Sequence, residues 1–428
     1  MSQIFDVYLN EDLAGTLAID DVMRMRFAYN SNYIDQGGAV ISLTMPLSND
    51  DYQDSIVFPF IENLLPEGEV RTLIQKQHKL EEGNFERLIE LLGGDVAGAI
   101  SFQRVNEKPS SSMNADQQPL GFGELSQLLL NIQDKPFNLQ VDEKVGKRLS
   151  LAGAQNKLPV IIVDGEYFEA GSAPSTHIIK PARKDGRYRS IVYNEYICMK
   201  AAKLAGIKVA NVALVAVDDQ DGIEIDALVI ERYDRYEESG VTYRLQQEDL
   251  CQIYSIVSSK KYQVSGGPGF TELFSAISLY SQIPVVDDLE ALRRIIFNMV
   301  IGNYDAHGKN FSFLTGKNGN INLSPAYDLV STEAYEDLDK SFAMYMDDLN
   351  NLLALKTINF ERLFESIGKK YNAMPKQLAG FSRAAIDAVQ EVVEEFIEDD
   401  YYPADIKMAE HIAAIAKNNG EFLLDLLK

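Results

Sequence analysis

Residues 303–310 read NYDAHGKN and carry the strongest indication of fold in this chain, with Asp305 and Asn310 five positions apart. The amphipathic segment 289–301 predicts a helix before them, and 311–314 predicts a strand after them. This is the D-x-x-x-x-N arrangement of a kinase catalytic loop, in which the Asp orients the attacking hydroxyl and accepts its proton. The Asn carbonyl oxygen helps to hold a metal ion on the phosphates. A polar turn between a helix and a strand also favours Asn, Asp and Gly, so the octamer alone leaves both interpretations open.

A second acidic residue, Asp328, follows a predicted hairpin whose turn is formed by residues 316–319. A kinase places the magnesium-binding Asp of its DFG motif at this point, although Tyr-Asp-Leu stands here in place of Asp-Phe-Gly. Lys309 could neutralise the charge that builds on the transferred phosphoryl group. Alone, Asp328 is more simply a turn or capping residue. Together with Asp305 and Asn310, a metal-binding role is favoured.

Upstream, a lysine and a glutamate match the pair that kinases use around ATP. Lys180 ends the apolar, strand-like segment 177–180, and Glu195 lies on a helix predicted at 194–204. In kinases this Lys contacts the α- and β-phosphates and pairs with the Glu. The alternative for Lys180 is an ordinary lysine at the end of a strand, where the chain meets solvent.

Two further segments could surround a nucleotide. Residues 148–157 include several small side chains, so their backbone N–H groups could close over phosphates, although the usual G-x-G-x-x-G is absent. Residues 231–233, Glu-Arg-Tyr, end a predicted strand, where backbone groups could bind adenine with Tyr233 packing nearby. Taken alone, the first segment is only a hairpin and the second is a charged strand end.

The order of predicted elements is strands, a helix, two more strands and a mainly helical half, as in a bilobal kinase. We therefore predict an α+β, protein-kinase-like fold with a mixed α/β amino-terminal lobe and a mainly helical carboxy-terminal lobe. The best linker candidate is 106–123, which is rich in Ser, Pro, Asn, Gln and Gly. The predicted division is a small α+β subdomain at 1–105, a linker with a short helix at 106–147, a kinase amino-lobe core at 148–235 and a helical carboxy-lobe at 236–428.

The first subdomain shows both the two-residue alternation of strands and the 3.6-residue periodicity of helices. These patterns predict strands near 5–9, 13–18, 25–29, 39–45 and 98–105, and helices near 70–79 and 85–92.

The chain of 428 residues is strongly acidic, with 40 Lys and Arg against 64 Asp and Glu and a net charge of −24. Such a surface repels phosphate backbones, so we expect no extensive direct contact with DNA. Cys198 and Cys251 lie in apolar helical patterns, as expected for buried thiols of a reducing compartment. No apolar run approaches the ~20 residues of a membrane span, and the start lacks a secretion signal. We expect a cytoplasmic protein without a membrane partner.

Several unusual strings together resemble the HipA family of bacterial toxin kinases, and the resemblance extends over nearly the whole chain. The strings are NLLPEG at 63–68, SLAGAQNK at 150–157, HIIK at 177–180, RYDR at 232–235, QEDLCQ at 247–252, KY at 261–262 with GGPG at 266–269, DAHGKN at 305–310 and YD at 327–328.

The resemblance implies a role for each matching residue. Asp305 would be the catalytic Asp with Lys309 as a catalytic neighbour, and Asn310 and Asp328 would hold Mg²⁺. Ser150 matches a serine that family members autophosphorylate. A phosphate there would add about two negative charges beside the ATP phosphates, expel the loop and abolish nucleotide binding. The implied ATP-binding residues are Ala152, Gly153, Ala154, Gln155, Asn156, Lys157, Lys180, Glu231, Arg232, Tyr233, His307, Asn310 and Asp328.

The resemblance also implies partners. HipA toxins bind a small dimeric helix-turn-helix antitoxin, HipB, and the pair binds operator DNA, mainly through the antitoxin, and represses its own operon. Family targets are translation proteins, notably a glutamyl-tRNA synthetase, whose phosphorylation slows growth and promotes persistence. We therefore predict an ATP- and Mg²⁺-dependent serine/threonine kinase toxin. Two alternatives are a nucleotide-binding corepressor whose catalysis is dispensable and a small-molecule phosphotransferase, since antibiotic kinases share the D-x-x-x-x-N arrangement.

Overall fold

The computed structural model of this chain describes residues 3–81, 83–109, 118–134, 156–171, 173–183, 188, 190–218, 224–399, 401 and 403–428. The chain forms two compact units. The first comprises Met1–Pro181, Val215–Ser258 and Leu314–Gly319, and the second comprises Ala182–Leu214, Ser259–Phe313 and Asn320–Lys428. Each unit therefore combines segments that are distant in the sequence.

The first unit contains an antiparallel sheet made of β1 (Gln3–Leu9), β2 (Asp12–Ile19), β3 (Met25–Tyr29) and β4 (Ile100–Arg104). The strand order is β3-β2-β1-β4. Phe5 and Val7 of β1 point into a core that also contains Phe60. The strands predicted near 5–9, 13–18, 25–29 and 98–105 are confirmed.

The helices of this region are α1 (Ser31–Asp35), α2 (Asp54–Glu62), α3 (Gly68–Gln77) and α4 (Phe85–Leu92). The start of α4 is fixed by Asn84, whose side-chain oxygen accepts a hydrogen bond from the N–H of Arg87 at 3.1 Å. This contact satisfies one of the donors that the first turn of a helix leaves without a partner. Both predicted helices are confirmed, and α4 has the predicted bounds.

The strand predicted at 39–45 is wrong. Ser42 and Met45 form an isolated bridge there instead. The Ser42 hydroxyl and the N–H of Leu43 donate to the buried carboxylate of Glu248, at 2.5 and 2.7 Å. A distant side chain therefore takes donors that local patterning assigned to a strand ladder.

A second sheet lies mostly in the first unit. Its strands are β5 (Leu158–Val163), β6 (Glu166–Glu169), β7 (His177–Pro181), β8 (Val212–Asp218) and β9 (Glu224–Glu231), in the order β6-β5-β7-β9-β8. The strand β7 pairs in antiparallel fashion with both β5 and β9, so it is central. The helix α5 (Phe122–Asp134) buries Leu125 and Leu129 in the same core as Val160. The next helix, α6 (Ile191–Leu204), belongs to the second unit.

The first unit is completed by the hairpin of β10 (Arg235–Glu238) and β11 (Val241–Arg244), followed by β12 (Gln247–Asp249) and the short helix α7 (Leu250–Ile253). A reciprocal cap starts α7. The Asp249 carboxylate accepts from the N–H of Gln252 at 2.9 Å, and the Gln252 side-chain oxygen accepts from the N–H of Asp249 at 3.0 Å.

The second unit is mainly helical. Its further helices are α8 (Phe270–Tyr280), α9 (Pro284–Val300), α10 (Thr357–Ser366), α11 (Pro375–Glu398) and α12 (Pro403–Leu426). Between α9 and α10 in the sequence lie β13 (Ser312–Thr315), whose last two residues belong to the first unit, and β14 (Ile321–Leu323). Proline at the first position starts both α9 and α11, where its missing N–H costs nothing. The helix α11 packs against α6, α9 and α12. Within the described ranges, no helix combines the length and apolar character that crossing a bilayer requires.

Candidate active site

The end of α9 fixes the start of residues 303–310, which we call the Asp–Asn loop, in the second unit. Gly302 has a φ of +63°, a left-handed conformation that ends the helix. The N–H of Asn303 donates to the carbonyl of Asn298 at 2.8 Å, and its side-chain amide donates to the Asn298 side-chain oxygen at 2.8 Å. The Asn303 side-chain oxygen accepts in turn from the N–H of Asp305 at 3.2 Å. Asn303 thus connects the helix end to Asp305, a link that sequence reasoning missed.

Asp305 presents an exposed side chain on a firmly held loop. Its carboxylate Oδ1 accepts a hydrogen bond from the hydroxyl of Tyr262 at 2.6 Å. The preceding Tyr304 is buried, and its N–H donates to the Thr332 hydroxyl at 2.8 Å. Burial and the nearby carboxylate of Glu333, 3.1 Å from the phenol, raise the pKa of Tyr304, so it remains a neutral anchor.

Asn310 ends a short 3₁₀ turn that begins at Gly308. Its side-chain oxygen accepts from the N–H of His307 at 3.1 Å, and its own N–H donates to the His307 carbonyl at 2.9 Å. His307 and Lys309 are buried, whereas Asn310 is half-buried. A carbonyl oxygen has two lone pairs, so the Asn310 side chain keeps one acceptor position for a metal ion.

Asp328 lies on a segment tied to that turn. The hydroxyl of the preceding Tyr327 donates to the carbonyl of Lys309 at 2.6 Å and lies 2.6 Å from the Ser312 hydroxyl. Asp328 itself has a φ of +54°, a left-handed conformation that Asp tolerates better than most residues. The structure therefore brings the segments that carry Asn310 and Asp328 together within one unit.

These two oxygen donors fit Mg²⁺ chemically. Magnesium takes few protein ligands, prefers oxygen, and completes its octahedral shell with waters and substrate phosphates. In the part of the chain that the structure describes, no group of three or more His, Cys, Asp or Glu side chains could hold a metal ion. Asn310 and Asp328 would therefore share the ion with the phosphates of a bound nucleotide, which fits the described residues better than a site made of protein ligands alone.

Lys180 lies on the central strand of the second sheet in the first unit, where it is 3% exposed. Its register partner on β9 is Leu228. Glu195 is buried on α6 in the second unit. The predicted pairing of Lys180 with Glu195 stays a prediction.

The phosphate-loop residues are only partly described. Asn156 and Lys157 are half-buried directly before β5. The side-chain oxygen of Asn156 is buried and accepts no hydrogen bond from any described residue, so it is a candidate contact for a ligand donor. The remaining loop predictions, which concern Ser150, Ala152, Gly153, Ala154 and Gln155, lie outside the described residues.

A buried ion cluster, which we define as Asp95, Arg232, Asp234, Arg235 and Arg244, lies at the predicted adenine-binding strand end. The guanidinium of Arg232 donates to both carboxylate oxygens of Asp234, at 3.0 and 2.8 Å. Arg235 donates to Asp234 at 2.9 Å and to Asp95 at 2.8 Å. Arg244 lies 3.4 Å from Asp95. The cluster joins Asp95 to residues 232–244, which are distant in the sequence, within the first unit.

The electrostatics keep this cluster charged at neutral pH. Burial acts to raise the pKa of Asp95, but the charges of Arg232 and Arg235 outweigh it and hold this pKa at about 2. The same balance of burial against the two arginines holds the pKa of Asp234 far below its ordinary value. Burial and the like charge of Arg232 lower the pKa of Arg235 to about 10, which still leaves it protonated.

The ion cluster limits how the strand end could contact a nucleotide. The N–H of Arg232 donates to the carbonyl of Thr176 at 2.9 Å, its carbonyl accepts from the N–H of Arg235 at 3.2 Å, and its guanidinium is engaged in the cluster. Glu231 is exposed and Tyr233 is half-buried. An adenine contact by the backbone of residues 231–233 stays a prediction.

A unit with a lysine on a central strand and a mainly helical unit with an Asp–Asn loop between a helix and a strand define a protein of the kinase-like class. The family model of the HipA N-terminal domain matches residues 5–103, and that of the HipA-like C-terminal domain matches residues 149–399. The chain belongs to the HipA family, as its sequence motifs predicted.

Individual relatives agree with this assignment. The serine/threonine-protein kinase toxin HipA of Shewanella oneidensis is 31% identical over 405 residues, which span 91% of this chain and 89% of that protein. A chain in the solved complex of Shewanella oneidensis HipA, HipB and operator DNA superposes with a TM-score of 0.83 at 28% identity, covering 99% of this chain and 98% of that chain. The predicted α+β, kinase-like fold is confirmed.

Proposed function

We propose that this chain is an ATP- and Mg²⁺-dependent serine/threonine protein kinase and the toxin of a toxin–antitoxin pair. The observation that carries the proposal is the exposed carboxylate of Asp305 on a fixed loop, next to a turn that presents Asn310 and is tied to the segment of Asp328. Membership of the HipA family, with a relative named as a serine/threonine-protein kinase toxin, supports the same reaction class.

In the proposed reaction, a serine or threonine hydroxyl attacks the γ-phosphorus of ATP, ADP leaves, and Asp305 accepts the hydroxyl proton. Asn310 and Asp328 would hold Mg²⁺, which neutralises charge on the phosphates when it is bound. Lys309 would add positive charge near the transferred group.

Further residues would contact the nucleotide. Lys180 would contact the α- and β-phosphates, residues 152–157 would close over them, and residues 231–233 would lie at the adenine. His307 would also contact the nucleotide. Ser150 would be the autophosphorylation site, and its phosphate would expel the loop by charge repulsion and switch the enzyme off.

The partner would be a HipB-like helix-turn-helix antitoxin dimer. A net charge of −24 disfavours direct contact with DNA, so operator binding would fall mainly to the antitoxin. The similarity to a chain from a HipA–HipB–operator DNA complex supports this arrangement. The protein substrate would belong to translation, as a glutamyl-tRNA synthetase does.

The substitution Asp305→Asn tests the proposal, because it keeps the size of the side chain and removes the proton acceptor. With radiolabelled ATP and Mg²⁺, we expect phosphate on the Ser150 peptide of the wild type and a loss of about a hundred-fold to ten-thousand-fold in the variant. Binding of a non-hydrolysable ATP analogue should persist in the variant. The matched control is Asp337→Asn, which changes an exposed acid elsewhere in the second unit and should transfer phosphate normally.

The outcomes separate the three functions. A wild type that transfers no phosphate to itself or to any protein would count against a protein kinase. Transfer to small hydroxyl compounds alone would favour a small-molecule phosphotransferase. If Asp305→Asn still arrests growth and represses the operon, the chain is a corepressor whose catalysis is dispensable.

A further inference from the structure

We propose that Tyr262 is a positioning residue whose hydroxyl holds Asp305 in the orientation that receives the acceptor's proton. The inference rests on the proposed kinase function. The phenol donates to Oδ1 of Asp305 at 2.6 Å, a distance typical of a hydrogen bond to an ionised carboxylate. A carboxylate has two oxygens, so Oδ2 remains for the acceptor hydroxyl.

Asp305 needs such a partner because its side chain is exposed and would otherwise exchange between rotamers. Among the described residues, the hydroxyl of Tyr262 donates the hydrogen bond that the Asp305 carboxylate accepts. A single donor on one oxygen restricts the rotation of the carboxylate and leaves its second oxygen for the acceptor hydroxyl. Catalysis by a positioned base depends on this kind of orientation.

The backbone that carries Tyr262 is itself fixed. The carbonyl of Tyr262 accepts hydrogen bonds from the N–H groups of Ser265 and Gly267, both at 2.9 Å. A Cβ at Gly267 would lie 2.3 Å from the carbonyl oxygen of Lys260, so the chain can approach itself this closely only with glycine there.

The same segment is fastened to its surroundings on two sides. The N–H of Gln263 donates to the carbonyl of Ala343 at 3.0 Å, and the Gln263 side-chain oxygen accepts from the N–H of Tyr345 at 2.6 Å. The carbonyl of Lys261 accepts from the N–H of Gly308 in the Asp–Asn loop at 3.3 Å. The KY and GGPG strings, which the proposed reaction leaves without a role, thus support one hydroxyl beside the catalytic carboxylate.

The ring of Tyr262 is placed independently of its hydroxyl. It meets the ring of His307 edge-on at a centroid distance of 5.3 Å, and the ammonium of Lys261 lies 5.6 Å from its centroid. A phenylalanine would keep the ring and both contacts. The substitution Tyr262→Phe therefore removes the hydrogen bond to Asp305 and keeps the ring in place.

The test compares Tyr262→Phe with Tyr371→Phe in the full-length protein. The hydroxyl of Tyr371 is buried in the same unit and has no hydrogen-bond partner among the described residues, so its removal controls for the loss of a phenol. For Tyr262→Phe we expect kcat to fall by about ten-fold to a hundred-fold, the range for losing one hydrogen bond to a charged group. The KM for ATP should stay at the wild-type value. Tyr371→Phe should change neither constant.

Each rate is divided by the fraction of molecules that bind an ATP analogue, so a partly unfolded preparation does not imitate a catalytic defect. A Tyr262→Phe kcat equal to that of Tyr371→Phe would overturn the positioning role and leave the proposed kinase function standing. A kcat above the wild type would also overturn it, because Tyr262 would then obstruct the acceptor. A wild type that transfers no phosphate would overturn the kinase function itself, together with this inference.

Discussion

Replacing Asp234 by asparagine tests whether the buried ion cluster holds the first unit together. The Asp234 carboxylate accepts two hydrogen bonds from Arg232 at 3.0 and 2.8 Å, one from Arg235 at 2.9 Å and one from the N–H of Gly98 at 2.9 Å. Asparagine keeps the shape of the side chain but removes its charge, and its NH₂ group cannot accept from a guanidinium. The two arginines would lose the carboxylate that they share.

The size of the effect follows from the charges that remain. Three arginines and two aspartates give the cluster a charge of +1, and the Asp234→Asn variant would have three arginines and one aspartate, or +2. Breaking a buried ion pair from one side costs about 3–5 kcal/mol. Because the substitution leaves two arginines facing one another, we expect a loss of unfolding free energy in this range.

The assay is urea unfolding of the full-length chain, followed by circular dichroism and by limited proteolysis with identification of the cleaved segments. We expect a lower urea midpoint for Asp234→Asn and earlier cleavage within the first unit. The control is Asp425→Asn, which removes an exposed ion pair with Lys428 and should leave the midpoint unchanged. Equal midpoints for the two variants would refute the reasoning, because the buried cluster would then stabilise no more than a surface pair.

Two other substitutions have outcomes that the structure fixes. Gly302→Ala should destabilise the second unit by about 1–3 kcal/mol and lower phosphate transfer. The reason is that Gly302 has a φ of +63° and that a Cβ there would lie 2.4 Å from the Glu333 carboxylate. An unchanged thermal midpoint would contradict this. Burial raises the pKa of Glu248 from 4.5 to about 7, so the folded state binds the proton more tightly than the unfolded state does. The wild type should therefore lose stability as the pH rises from about 4.5 to about 7. In the Glu248→Gln variant, the side-chain oxygen can still accept from the N–H of Leu43. Its urea midpoint should therefore change less with pH across this window than the midpoint of the wild type. An equal slope would show that Glu248 does not titrate there.

The sequence was sufficient where structure depends on neighbouring residues. The bounds of α4 were predictable because the apolar periodicity and the cap at Asn84 are both local. The helix before Asp305 and the strand after it were predicted to within a few residues for the same reason. The order of the predicted elements indicated the kinase-like fold, and the family motifs pointed to the same fold.

The remaining contacts join residues that no periodicity connects. Tyr262 and Asp305 are separated by 43 positions, and Arg232 and Asp95 by 137, so one sequence carries no signal that they meet. The false strand at 39–45 has the same origin, because the acceptor that competes for its donors is Glu248, about two hundred positions later. Such long-range side-chain contacts become visible only when the chain is folded.

The position of the ion cluster along the chain also constrains how this protein can recombine with its relatives. Asp95 lies near the end of the segment that matches the HipA N-terminal domain, residues 5–103, while Arg235 lies 140 positions further on. A chimera that took residues 1–105 from a parent without Asp95 and the rest from this chain would bury three arginines with Asp234 as the one remaining acid of the cluster. Chimeras of diverged parents should therefore fold only when Asp95 and the arginines come from the same parent. The two segments would then have to be exchanged together.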